Sequence, residues 1–195
     1  EEELKLNELN TAEHETKPPA RFTEATLVRE LEKLGIGRPS TYAGIINTLY
    51  ERGYIRRDGS SLVPTFTGFA VTQLMERYFH HLIEYDFTSD MEDELDRIAE
   101  GEADRLSYLK EFYNGPNGLK QLVDKQESKI SPDEARAIDI PHLSDMSEGE
   151  LNINIGKFGP YLVYKENGEE ETVNASIPEE IAPAELSRET IDEIL

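Results

Sequence analysis

Residues 23–64 read TEATLVRELEKLGIGRPSTYAGIINTLYERGYIRRDGSSLVP, and the succession of periods along them decides the fold. Thr23 can cap a helix whose apolar positions Leu27, Val28, Leu31 and Leu34 recur at helical spacing, and Gly35 suits its C-terminal stop. After a short Gly-Ile-Gly-Arg-Pro connection, Ser40 is placed to cap a second helix. That helix carries Tyr42, Ile45, Ile46 and Leu49 and stops at Gly53. The period then shortens. Tyr54–Arg57 and Ser61–Pro64 flank Asp58-Gly59, a strong hairpin signal. A third helix is predicted from Thr67 through Val71, Leu74, Met75 and Tyr78. Helix, turn, helix and two-stranded wing is the order of a winged helix-turn-helix, although any small α/β domain can show the same succession.

Outward from this stretch, residues 88–130 are predicted to be helical. Met91, Leu95 and Ile98 form one stripe, Leu106, Leu109 and Phe112 another, and Gly101, Gly115, Pro116 and Gly118 break the run into pieces. The carboxylates Asp90, Glu92, Asp93, Glu94 and Asp96 spread around a helix instead of converging as a metal loop would, so they read as a solvated face. Residues 131–148, with Pro132 and Pro141, read as a linker. Beyond it Leu151–Ile155 alternates like a half-buried strand, Gly156–Pro160 turns, and Tyr161–Tyr164 forms a second strand. Glu166–Glu171 is a charged tip, Thr172–Ile177 a third strand, and Ser187 caps a last helix with Ile191, Ile194 and Leu195. Residues 1–19 end in a double proline and read as an extended arm. The expected fold is therefore mainly α with small β elements. A winged-helix-like helical domain (20–130) precedes a small α+β unit (149–195) that is marginal in size alone.

The chain has 195 residues with 41 acidic and 20 basic, a net charge of −21. It has no cysteine, which excludes disulfides, zinc thiolates and a cysteine nucleophile. With neither an apolar membrane span nor a signal peptide, it reads as a soluble cytoplasmic protein, and its start at Glu1 suggests an excised piece of a longer one. Charge is uneven: residues 1–19 carry −4, 58–130 carry −8 and 131–195 carry −12, whereas 20–57 carry +3. A nucleic-acid contact belongs in that positive block.

Within it, Gly35–Tyr42 (GIGRPSTY) is the most informative segment. Glycines permit close backbone approach, and a helix start presents free N–H groups and a positive dipole end to a phosphate. Ser40 and Thr41 add hydroxyls, Arg38 a planar charged fork expected to face solvent, and Tyr42 a ring on which a base can stack. A capped glycine-rich turn is the plain alternative. In the C-terminal unit Lys157, Phe158 and Tyr161 surround a glycine turn and offer a cation and two rings to a flexible strand, unless the two rings are core. No HExxH, nucleophile elbow, Walker loop or GxGxxG occurs, so no catalytic residue and no metal ligand is assigned.

The stretch PPARFTEATLVRELEKLGIGRPSTYAGIINTLYERGYI (18–55) resembles a signature of bacterial type IA DNA topoisomerases. So do VPTFTGFAVTQLM (63–75) and DFTSDMEDELDRIAEG (86–101), while GKFGPYLVY and ASIPEEIAPAELS resemble one C-terminal topoisomerase repeat. The resemblance implies an enzyme that relaxes negatively supercoiled DNA by nicking one strand through a tyrosine, passing another strand and resealing. It also implies Mg2+ for the parent enzyme, held by an amino-terminal acidic motif without counterpart here, and residues 1–17 as the tail of a preceding arch domain. The family nucleophile lies in a Met-Arg-Thr-Asp-Ser-like context, which no tyrosine of this sequence shares, so the piece alone is expected to be inactive and to hold no cofactor. Contact with single-stranded DNA is implied for Arg38, Ser40, Thr41 and, less directly, Tyr42. The missing catalytic domains of the same polypeptide are the other implied partners.

Two other functions compete. A winged-helix regulator would need a more basic recognition helix, and residues 41–52 hold only Arg52. An acidic interaction module would dock a basic partner such as RNA polymerase through residues 131–195.

Overall fold

The computed structural model describes residue 16 and residues 18–143, 149–168 and 171–195. Most of the expected arm, the end of the expected linker and part of the 166–171 tip lie outside the described residues. Helix α1 (Glu24–Lys33) opens with a reciprocal cap. The Thr26 amide donates to Thr23 Oγ1 and the Thr23 amide donates to Thr26 Oγ1, at 3.2 and 2.8 Å. Gly35 and Gly37, with φ of +70° and +78°, turn the chain toward α2 (Tyr42–Glu51).

Helix α2 starts later than expected. Thr41 and not Ser40 holds the N-cap position, and its hydroxyl makes no capping bond. The cause is a turn over Arg38–Thr41 with Pro39 at its second position, closed by the Thr41 amide donating to the Arg38 carbonyl at 2.8 Å. The Thr41 hydroxyl accepts from the Arg38 amide at 2.9 Å and donates to the Arg38 carbonyl at 3.0 Å.

Strands β1 (Ile55–Asp58) and β2 (Ser61–Pro64) pair antiparallel around Gly59-Ser60, with Gly59 at φ +57°. Thr65 then caps α3 (Phe66–Tyr78) through the Gly68 amide at 3.1 Å, so this helix begins one residue before the expected Thr67. Four helices follow: α4 (His80–Ile83), α5 (Tyr85–Ala99), α6 (Arg105–Asn114) and α7 (Leu119–Glu127). The interruptions after α5 and α6 fall at the glycines named from the sequence, those around α4 at Phe79 and Glu84, and Asp104 caps α6 through the Ser107 amide at 2.8 Å.

The expected linker is in large part structured. Ser131 caps α8 (Pro132–Arg136), β3 (Ala137–Ile138) joins a sheet, and Pro141–Leu143 forms a 3-10 turn. Pro132 lies in the first turn of α8, where its missing N–H costs nothing, so it starts an element where the sequence reading placed it in a linker. The sheet is antiparallel in the order β3-β4-β5-β6, with β4 (Glu150–Gly156), β5 (Gly159–Lys165) and β6 (Val173–Ser176). Ser187 caps α9 (Arg188–Ile194) as expected.

One core joins the two regions. Phe66 and Ala70 of α3 pack with Ile138, Ile140, Leu143, Ile153, Leu162, Ile177, Leu186 and Ile191. The Gln73 side chain serves the Asp139 backbone as a strand would: its Nε2 donates to the carbonyl at 2.6 Å and its Oε1 accepts from the amide at 2.9 Å. Tyr78 donates to Glu134 at 2.6 Å. Two basic residues add to the joint: Arg21 pairs with Glu185 at 3.3 Å, and Arg56 donates to the Glu180 carbonyl. Within this joint the small C-terminal unit completes its core with a helix of the preceding region. Among the described residues no helix is long and apolar enough to cross a membrane.

Candidate nucleic-acid interface

Two places gather the residues singled out from the sequence, and the structure treats them differently. At the start of α2, Ser40 and Thr41 are exposed. Arg38 faces solvent only in part, where it was expected to face it freely. Its Nε donates to Asp96 and its Nη2 to Asp93, each at 2.9 Å, while Nη1 donates to the carbonyls of Gly35 and Gly37 at 3.1 and 3.0 Å. The side chain keeps only 29% of its exposure. The hydrogen bond to Asp96, opposed by a smaller desolvation effect, pushes its ionisation further above the ordinary arginine range. Part of the acidic face of α5 is therefore engaged by a cation 55 and 58 residues earlier, which spacing along α5 could not show. The Tyr42 ring is half-buried on its own turn, where a Cβ at Gly37 would approach it to 3.0 Å, so the stacking expected of it has only part of the ring available.

On the C-terminal unit, period-two geometry sorts the sheet into two faces. Ile153, Leu162 and Ala175 pair across β4, β5 and β6 on the core side. Asn154, Tyr161 and Ser176 form a row on the other side, as do Asn152, Val163 and Asn174. At the β4–β5 tip Phe158 is 94% exposed, with Lys157 Nζ 5.5 Å from its ring centroid. The open question over the rings is thereby answered differently for each. Phe158 is no core residue, and Tyr161 is half-buried on the face away from the core cluster. Gly156, Lys157, Phe158, Pro160, Tyr161 and Ser176 line a shallow cavity of about 340 Å³. The structure brings Lys157, Phe158 and Tyr161 together. It adds Asn152, Asn154 and Asn174, which the sequence reading did not single out although the alternation of Leu151–Ile155 placed both β4 asparagines opposite the core.

Elsewhere, His81 Nδ1 lies 2.8 Å from Glu84, and His142 Nε2 lies 2.9 Å from the Leu186 carbonyl. Arg57 pairs with Glu24 and stands over the Tyr50 ring at 5.7 Å, tying the hairpin to α1 and α2. Among the described residues no group of three or more His, Asp or Glu is arranged to hold a metal ion.

Residues 1–110 match the family model described as DNA topoisomerase, and residues 145–193 match that of the topoisomerase C-terminal repeat. DNA topoisomerase 1 of Synechocystis sp. is 45% identical over 188 residues, covering 96% of this chain and 20% of that protein. DNA topoisomerase 1 of Streptomyces coelicolor is 42% identical over 213 residues, covering 98% and 21%. The chain thus spans about a fifth of the length of these curated relatives. The solved structure of full-length topoisomerase I from Thermotoga maritima matches 86% of this chain and 26% of its own, at a TM-score of 0.66 and 31% identity.

Proposed function

This chain belongs to the bacterial DNA topoisomerase I family, and on that premise we propose that it is the part of a type IA enzyme that holds single-stranded DNA. Cleavage, strand passage and religation of negatively supercoiled DNA fall to residues outside it. Its winged-helix-like region contributes the exposed mouth of α2, where the Ser40 hydroxyl and the first-turn amides after Tyr42 offer donors to a phosphate, while the Thr41 hydroxyl reaches one only by leaving the Arg38 carbonyl. The Mg2+ that the resemblance implies does not fit the described residues, since no three carboxylates or histidines converge among them.

The observation that carries the proposal is the solvent-facing aromatic tip and sheet face of the repeat. A fully exposed phenylalanine stabilises no core. Set beside a lysine, a half-exposed tyrosine and three asparagines of the same sheet face, it provides what an unpaired strand needs: a ring for a base, a cation for a phosphate and amides for base edges. In the acidic surroundings of residues 131–195 this is a local site, and its affinity rests on stacking more than on net charge. Fluorescence anisotropy with a labelled oligodeoxythymidylate tests it. Phe158→Ala is expected to weaken binding by about 1–3 kcal/mol, the scale of one stacked base, with an unchanged melting temperature. Equal affinity of variant and native chain, or a preference for duplex over single strand, refutes the site.

A further inference from the structure

We infer that Asp93 and Asp96 are positioning residues for the mouth of α2, acting through Arg38; the functional sense of this rests on the single-strand-binding reading above. A guanidinium has five N–H donors. Here Nε meets Asp96, Nη1 meets two backbone carbonyls, and Nη2 meets Asp93 and also stands 2.9 Å from Asp96 Oδ2. The donor set is filled by the protein itself, so a phosphate could claim Arg38 only by displacing a carboxylate. The same face of α5 meets the turn a second time. A Cβ on Gly35 would collide with Ser89 Oγ, so the backbone lies directly over that residue. Ser89, Asp93 and Asp96 are spaced i, i+4, i+7, one stripe of a helix. The turn is thus docked along α5 at three residues.

Packing alone does not hold it there. α1 and α5 contain no buried residue, and α2 contains only Ile46. With so thin a core, the Arg38 fork sets the direction in which Ser40, Thr41 and the α2 amides point. Arg38 is then a strut, and exposed donors around it meet DNA.

The strut and the alternative, a phosphate-seeking Arg38 held back by carboxylates, predict opposite signs. Removing two negative charges near DNA strengthens binding on electrostatic grounds. Loss of a strut weakens it. The experiment takes the whole chain with Asp93→Asn and Asp96→Asn combined, Arg38→Ala, Arg38→Lys and the triple Asn/Asn/Ala variant. Each is titrated with labelled oligodeoxythymidylate across a salt series, and amide exchange is read at Thr41 and Tyr42, both of which donate to the Arg38 carbonyl. The double Asn variant is expected to bind about fivefold more weakly with an unchanged salt slope and faster Thr41 and Tyr42 exchange. Arg38→Ala and Arg38→Lys are expected to match it, since an ammonium cannot reproduce the fork, and the triple variant to add nothing. Tighter binding by the double Asn variant overturns the inference, as does full rescue by Arg38→Lys or a salt slope reduced by about one phosphate in Arg38→Ala. If the native chain binds no single strand, the proposed function fails, and exchange alone judges the strut: unchanged Thr41 and Tyr42 rates in the double Asn variant overturn it.

Discussion

Truncation of Phe66 tests whether the helical region and the repeat are one cooperative unit. Phe66 lies in the first turn of α3, retains 3% of its exposure, and belongs to the same cluster as Leu162 of β5 and Leu186. Truncating a buried phenylalanine to alanine costs about 3–5 kcal/mol, the sum of lost transfer energy and the residual cavity. That is a large share of the 5–15 kcal/mol that holds a typical domain folded. If the core is shared, the loss is felt 96 residues away on β5 as strongly as on α3. Hydrogen exchange followed by mass spectrometry reads this from peptides spanning 66–78 and 159–165. Both sets are expected to exchange faster by about a hundred- to several-thousand-fold, the same free energy expressed as a rate ratio. Phe66→Leu, which refills most of the space, is expected to recover most of the protection. Faster exchange in α3 with native protection in β5 refutes the reasoning, because it shows two cores in contact and not one.

Two further outcomes concern α3, one at the same joint and one at its contact with the hairpin. Tyr78 donating to Glu134 holds that carboxyl below its ordinary 4.5 and holds the phenol above its ordinary 10.0. The Glu134 contribution is present above pH 4.5 and lost as pH falls through the depressed folded value; the Tyr78 contribution is present below pH 10.0 and lost as pH rises through the raised one. Tyr78→Phe is therefore expected to flatten both limbs of a stability-against-pH curve measured by urea melts, and an unaltered curve refutes the coupling. Gly68→Ala is expected to destabilise by about 1–3 kcal/mol in the same melts, because the new Cβ would collide with the Tyr54 carbonyl oxygen and α3 would have to move off the hairpin; a neutral result refutes that close approach.

Much of the local structure was legible in residue order. Thr23 and Ser187 act as caps, and the glycines at 35, 53, 101 and 115 end their helices because short-range hydrogen bonding and backbone freedom are properties of a few adjacent residues. The shift of the α2 cap from Ser40 to Thr41 shows the limit of that logic. A proline at the second position of a turn uses the next residue in closing it, so the better capping side chain is passed over.

The candidate site divides along the same line. Lys157, Phe158 and Tyr161 could be named from the sequence because a tip and an alternating strand place neighbours together without help from distant residues. Whether the rings were core or surface could not, since that depends on which side of the sheet α3 covers. Arg38 was legible as a charged fork beside a helix start, but its orientation was set by carboxylates more than fifty residues away. The stretch 131–143 looked like a linker because its prolines and short apolar spacing carry no period of their own. It is ordered by Gln73 standing in as a strand partner and by Phe66 and Ala70 covering Ile138 and Ile140. The sequence by itself determined most of the elements outside 131–143, the caps at Thr23 and Ser187 and the family they belong to, all of which depend on residues near one another. Only the tertiary structure decided which charges are spent and which region lends its core to the other, because burial and ion pairing depend on partners that no local period reveals.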